Sequence, residues 1–370
     1  MSKDFNFGYS FPAIRGIQAR REFFTSMCPM RLIPKIFLFN EEEVSPEMRA
    51  QRVLNKGRIP AIADYIVKNR ENYAFSSITA SLDGDIKFEP LGNKGEKRNI
   101  GTLHIDMNAR FIINDGQHRR AAIERALQDD PDLGDEAIPV VFFADPGLGR
   151  CQQLFADLNR HAIRPSTSIG ILYDNRDIQG EIIKTLLSKD AVFEGLVEME
   201  KTSLARRSKR LFTLSALYKA SSEIMKSKMF EKLPTEQVSK KLKEFWTHVF
   251  KNVKEWEMVR ANKISSGDLR EDYIHCHSVG LQAIGIAGAA LLDSFPKGWN
   301  KKLIALGKID WRRKNSKLWE GRALVGGRVS KGSHNITLTS NVIKKAFRIE
   351  LSPEEQRAED LFNEAREGRK

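Results

Sequence analysis

Along the 370-residue chain, apolar positions recur in two textures that meet near Pro165. Before it, short β-branched and aromatic runs alternate with helical stretches. Residues 31–39 read as a strand whose start Pro34 pushes toward a sheet edge. Residues 76–82 read as another, which Asp83-Gly84 turns into a short partner at 85–88. Strands are also expected over 102–107 and 111–113. The run at 138–143 is so apolar that burial on both faces is expected. Helices are predicted from the acidic Glu41–Glu47 stretch, from Pro60 at a first-turn position, from His118, and over 148–158. The last carries Leu148, Cys151, Leu154, Phe155 and Leu158 on one stripe, which makes Cys151 a core residue. Residues 5–30 mix aromatic and basic side chains with little periodicity and read as an ordered arm.

Beyond Pro165 the pattern becomes helical, with periodic candidates at 178–187, 211–225, 238–256 and 278–292. Gly280, Gly285 and Gly288 among apolar residues mark the last as a tightly packed buried helix. The predicted fold class is therefore α+β. A first domain at 1–165 with a mixed sheet precedes a mainly helical basic domain at 166–370.

Charge sharpens that division. Residues 1–150 hold 21 basic and 21 acidic residues, so the whole net charge of +13 lies beyond them. Between residues 297 and 350 stand 14 basic and 3 acidic residues. Such concentration points to a polyanion-binding face, with DNA ahead of an anionic membrane. No apolar window is long enough to span a bilayer, and the first residues lack a signal-peptide layout. Cys28, Cys151 and Cys276 are scattered and form neither a disulfide framework nor a metal spacing, which fits a cytoplasmic protein. His275-Cys276-His277 reads as no metal cluster, because three consecutive side chains do not converge on one ion.

The chemistry concentrates first at Asn114-Asp115-Gly116-Gln117-His118-Arg119-Arg120, where a strand ends, a glycine turns the chain and a helix starts. Cations are disfavoured at a helix N-terminus by roughly 0.3–1 kcal/mol. Placed beside uncapped N–H donors, Arg119 and Arg120 make sense around an anion. The alternative is that they pair with Glu124 or nearby acids. Asn159, at the end of the 148–158 helix, is either a C-cap or, with Arg164, a second contact to the same ligand.

The string Asp115-Gly116-Gln117-His118-Arg119 resembles the signature of the DGQHR-domain family, and in particular its DndB members, encoded with DNA phosphorothioation systems. The resemblance extends to Arg58-Ile59-Pro60, Asp64-Tyr65, Leu158-Asn159 and the Asp310-Trp311…Trp319 region. It implies a distant relation to the ParB/sulfiredoxin superfamily, in which the glycine turn cradles a nucleotide's phosphates. Carried over, Gly116 sits at the turn, Arg119 at the phosphates and Ala122 at a small packing position. Gln117 stands where sulfiredoxins have a reactive cysteine, and Leu158 where ParB-type hydrolases have a metal-holding glutamate. The implied ligand is a phosphate or a nucleoside triphosphate with Mg. The implied role is control of the modification genes, with promoter DNA and other phosphorothioation proteins as partners; a homo-oligomer stays open. An alternative is a ParB-like NTPase or nuclease with His118 as acid/base.

Two basic stretches are the candidate DNA contacts. Arg206, Arg207, Lys209 and Arg210 form a compact run, either a solvated loop or a helix-turn-helix-like element. Arg312, Arg313, Lys314, Lys317, Arg322, Arg328, Lys331, Lys344 and Lys345 form the second, interleaved with glycines. Trp299, Trp311 and Trp319 lie among them, either as core or as braces for arginines and bases.

Overall fold

The structure, a computed structural model, describes residues 8–37, 54–144, 148–160, 165–189 and 191–367, with Leu148, Gly149, Asn159 and Arg160 by backbone alone. The chain divides into two compact units, Met1–Ile163 and Arg164–Lys370. Each has its own hydrophobic core. The architecture is α+β.

The first unit is built on a seven-stranded mixed sheet in the order β4-β5-β1-β2-β7-β3-β6. Its strands are β1 (Gly8–Gln18), β2 (Arg21–Pro29), β3 (Ile78–Asp83), β4 (Ile86–Pro90), β5 (Ile100–Asp106), β6 (Arg110–Asp115) and β7 (Ala137–Ala144). The helices are α1 (Ile33–Ile36), α2 (Ile59–Lys68), α3 (Gln117–Asp129) and α4 (Leu148–Arg160). Among the described strands of this sheet, only β3 and β7 pair in parallel.

Several expectations are corrected here. The arm is a hairpin at the centre of the sheet: β1 and β2 pair across Ala19-Arg20, both with positive φ. Phe11, Ala13, Phe24, Ser26 and Cys28 are its buried residues, an alternation that the surrounding charges obscured. The expected strand at 31–39 is helical through Ile36, with Pro34 in the first turn, where its missing N–H costs nothing; residues 38 and 39 lie outside the described residues, as does the Glu41–Glu47 stretch. Strands β3 and β4 do not pair with one another. The buried β3 lies between β7 and β6, whereas the alternating β4 pairs β5 at an edge. In β7, Ile138, Val140 and Phe142 are buried while Val141 and Phe143 are half-buried, so it is covered chiefly on one face.

In the second unit the helices are α5 (Thr167–Tyr173), α6 (Ile178–Lys184), α7 (Leu214–Ile224), α8 (Thr235–Asn252), α9 (Lys254–Arg260), α10 (Ser266–Asp272), α11 (Ser278–Ser294), α12 (Trp299–Lys302), α13 (Ser316–Trp319), α14 (Ser333–Phe347) and α15 (Pro353–Glu367). The 238–256 pattern is two helices rather than one, because the backbone leaves helical geometry at Val253 (φ −106°, ψ 83°); Trp256, on the second helix, is buried in the core. Phe193 packs edge to face on Phe212, Trp246 and Phe250 there, and Phe212 on Trp256. Buried α11 runs beside α7; a Cβ on Gly285 would stand 2.3 Å from the Ala220 carbonyl oxygen, so only glycine permits this approach. Among the described residues, no helix is long and apolar enough to cross a membrane.

Candidate functional site

At the DGQHR turn, β6 delivers Asn114 into the interior. Its Oδ1 accepts from Ser81 Oγ at 3.0 Å and its Nδ2 donates to the Cys151 carbonyl at 3.1 Å, which fixes the strand against α4. Gly116 follows with φ +113° and serves as the N-cap of α3. A side chain there would be strained and would press on Ile78. No side chain caps α3, so its first N–H groups are left for other acceptors.

The cations around this turn are already engaged. Arg119 Nη2 donates to Asp115 at 2.7 Å and to the Ser77 carbonyl at 2.9 Å. Arg120 donates to the carbonyls of Phe37 and Pro34 at 3.0 and 3.1 Å and pairs with Glu124. That is the pairing the sequence left as the alternative to an anion. His118 Nε2 accepts the Asn55 N–H at 3.3 Å. Two polar atoms remain over: buried Gln117 Nε2 and Arg119 Nε have no partner among the described residues. The Asn159 side chain and Arg164 lie outside the described residues. An incoming anion thus meets uncapped N–H groups and an arginine it must share with Asp115.

The second unit gathers its charge differently. The 206–210 run is a loop, not a helix, and Arg270 holds it. That buried guanidinium donates to the carbonyls of Ala205 (2.8 Å), Arg206 (3.0 Å), Ser208 (3.3 Å) and Arg210. With the loop's carbonyls turned inward to α10, Arg207 and Lys209 carry no ion pair among the described residues. The following helix α7 buries Leu214, Ser215, Ala216 and Leu217, its whole first turn. A groove-reading helix exposes that turn to bases, so the helix-turn-helix alternative is set aside. Beside the loop lies a cleft of about 880 Å³, lined by Arg206, Arg207, Lys209, Arg210, Arg260 and Lys263 together with Glu194 and Glu198. Arg260 and Lys263, contributed by α9 and the turn after it, were not singled out by the sequence pattern.

The 312–331 stretch meets the same helix. Arg313 donates its backbone N–H to the Asp272 carbonyl at 2.7 Å and its guanidinium to Glu271 and Gly327 carbonyls at 3.1 and 2.9 Å. Lys331 lines a second cleft, of about 360 Å³, in company with Arg206 and Arg270. Two basic segments about a hundred residues apart in sequence therefore converge on α10. Arg312 is held by Asp310 at 2.7 Å, and that hydrogen bond lowers the aspartate's pKa to about 2. Lys314, Lys317 and Arg328 are exposed.

Other members of the second stretch are corrected. Arg322 is buried in an ion pair with Glu359, and Lys344 is buried beside Glu355; neither lies on a surface that DNA could reach. Lys345 is exposed but also pairs with Glu359, at 2.8 Å. Trp311 and Trp319 stack on one another at 5.3 Å in the core, their indole N–H groups donating to the Leu306 and Asp310 carbonyls. Trp299 stacks on Phe245. The indoles are structural.

His275, Cys276 and His277 do not share a ligand; among the described residues no group of His, Cys, Asp or Glu is placed to hold a metal ion. His275 is fully buried, and its Nδ1 accepts the Trp256 indole N–H at 3.0 Å. Burial lowers its pKa to about 3, with His277 adding to the effect. Burial likewise lowers His277 to about 4, against the raising effect of its hydrogen bond to the Arg270 carbonyl. Both stay neutral in the fold but titrate near 6.5 when unfolded. The unfolded chain then binds more protons, so stability is full above pH 6.5 and declines as pH falls toward 4. Thermal melts between pH 7.5 and 4.5 are expected to show a falling midpoint, and a flat profile over that range would contradict the buried neutral pair.

A family model described as DndB, DNA-sulfur modification-associated, matches residues 11–350. No curated protein and no solved structure matches the chain.

Proposed function

The chain belongs to the DndB family, associated with DNA sulfur modification, and we propose that in such a system it binds double-stranded DNA and regulates the modification genes from their promoter. The observation that carries this reading is the convergence of residues 206–210 and 312–331 on α10, with Arg206 and Lys331 lining one cleft. Cations spread along two clefts follow a phosphate backbone, and each phosphate neutralised releases counterions. The Gly326-Gly327 turn, with Arg328 beside it, lets the backbone approach DNA closely. Footprinting on the DNA flanking the protein's own gene cluster tests the proposal. Protection of a promoter segment supports it; salt-insensitive binding, or none, removes it.

The DGQHR turn enters the same reading as a phosphate or nucleotide site of ParB/sulfiredoxin type. Its support is the uncapped start of α3 and the two unpartnered atoms of Gln117 and Arg119. ATP with Mg, or inorganic phosphate alone, is expected to raise the melting temperature, since ligand at a hundred times its Kd adds about 2.7 kcal/mol. In Arg119→Ala that rise is expected to vanish. Equal stabilisation of parent and variant would remove the site.

A further inference from the structure

We propose that the smaller cleft reads the sulfur itself: it takes a phosphorothioate diester of modified DNA, in which sulfur replaces one non-bridging oxygen. This rests on the DNA-binding reading above and narrows it to a substrate class.

The cleft combines two surfaces that a plain phosphate does not need together. Leu204, Leu211, Phe212 and Ala216 give it an apolar side, Thr202, Ser203 and Thr213 bring hydroxyls, and Arg270 and Lys331 leave it positive once Arg206 is paired with Glu271. Phosphate and phosphorothioate diesters carry the same single charge, so the cations attract both alike. The two differ at the substituted atom. Sulfur is larger, more polarisable, less tightly hydrated and a weaker hydrogen-bond acceptor than oxygen. Seating it against hydrocarbon therefore costs less desolvation than seating an anionic oxygen there.

The remaining groups around the cleft leave its charge positive. Glu271, the one carboxylate lining it among the described residues, is paired with Arg206 at 2.7 Å. The Cys276 thiol is held neutral by burial and offers a soft sulfur surface; His277 is neutral as well. Ser278 lines the cleft at the start of α11, a 17-residue helix that no side chain caps. At about 360 Å³ the cavity falls in the range of roughly 300–1,000 Å³ typical of ligand pockets. Its position also fits. Arg206 and Gly267 line both clefts, so a strand following the larger one passes the mouth of the smaller.

The test compares duplexes of one sequence with the full chain by fluorescence anisotropy. One duplex carries a single phosphorothioate linkage, each diastereomer prepared separately; the other carries none. One diastereomer is expected to bind about five-fold more tightly than the plain duplex. That ratio is expected to stay constant from low to high salt, because the charges are equal. Leu204→Ser is expected to bring the ratio to one, whereas Lys331→Ala weakens both duplexes by the same factor. Equal affinities in the parent would overturn the sulfur pocket while leaving DNA binding in place. Binding to neither duplex would remove both, and a ratio unchanged in Leu204→Ser would move sulfur recognition out of this cleft.

Discussion

Glu359→Ala is expected to lower the unfolding free energy by about 3–5 kcal/mol, the cost of stranding a buried charge. Glu359 is 1% exposed and accepts from both Nη atoms of Arg322, from Lys345 at 2.8 Å and from Asn341 at 3.3 Å. Arg322, itself buried, also donates to the Leu338 carbonyl at 3.0 Å and lies over the Phe362 ring at 4.2 Å. Removing the carboxylate leaves the guanidinium with one carbonyl and a ring face, in a place water does not reach. Equilibrium denaturation is the measurement, read as a shift of midpoint at constant slope. The loss depends on pH in a definite sense. Burial pushes the Glu359 carboxyl up, but its hydrogen bonds to Arg322 and Lys345 outweigh that and hold it at about 2, against an ordinary 4.5. A lowered carboxylate stabilises above its unfolded pKa, so the gap between parent and variant is expected to narrow as pH falls from 4.5 toward 2. A gap below about 1 kcal/mol at neutral pH would mean that the pair is solvated.

Neutralising Arg207, Lys209 and Lys331 together is expected to weaken DNA binding about 10²-fold at moderate salt. The plot of log affinity against log salt should flatten by up to about 2.7, at roughly 0.9 for each phosphate left without its cation. All three side chains are exposed and free of ion pairs among the described residues. The melting temperature should therefore hold, because surface changes of this kind usually stay within about 0.5 kcal/mol. An unchanged salt slope would take DNA off this face.

What the sequence disclosed follows from the range of the interactions involved. The turn at Gly116 and helices such as α2, α3 and α11 are local patterns, and their periodicity is visible in any short window. The central hairpin was hidden because Arg15, Arg20 and Arg21 dilute an alternation carried by Phe11, Ala13 and Phe24. Arg270 could not be singled out, since its four carbonyl partners lie some sixty residues upstream and backbone oxygens leave no trace in composition. Arg322 and Lys344 looked like DNA contacts for the same reason. Their carboxylates arrive from α15, and charge counted along 297–350 excludes them. The convergence on α10 is likewise tertiary: residues 206–210 and 312–331 are neighbours only because Arg270 and Arg313 tie each to that helix.

The place of β7 in the sheet bears on how the chain matures. It pairs with β2 on one side and β3 on the other, and among the described residues it alone links those strands in the sheet. A chain from which everything before residue 137 has emerged, but not β7 itself, holds two half-sheets, β4-β5-β1-β2 and β3-β6, each with a bare inner edge. Those edges are templates for pairing with other chains until synthesis delivers the missing strand. Aggregation through these edges is thus limited by how soon residues 137–144 emerge and pair.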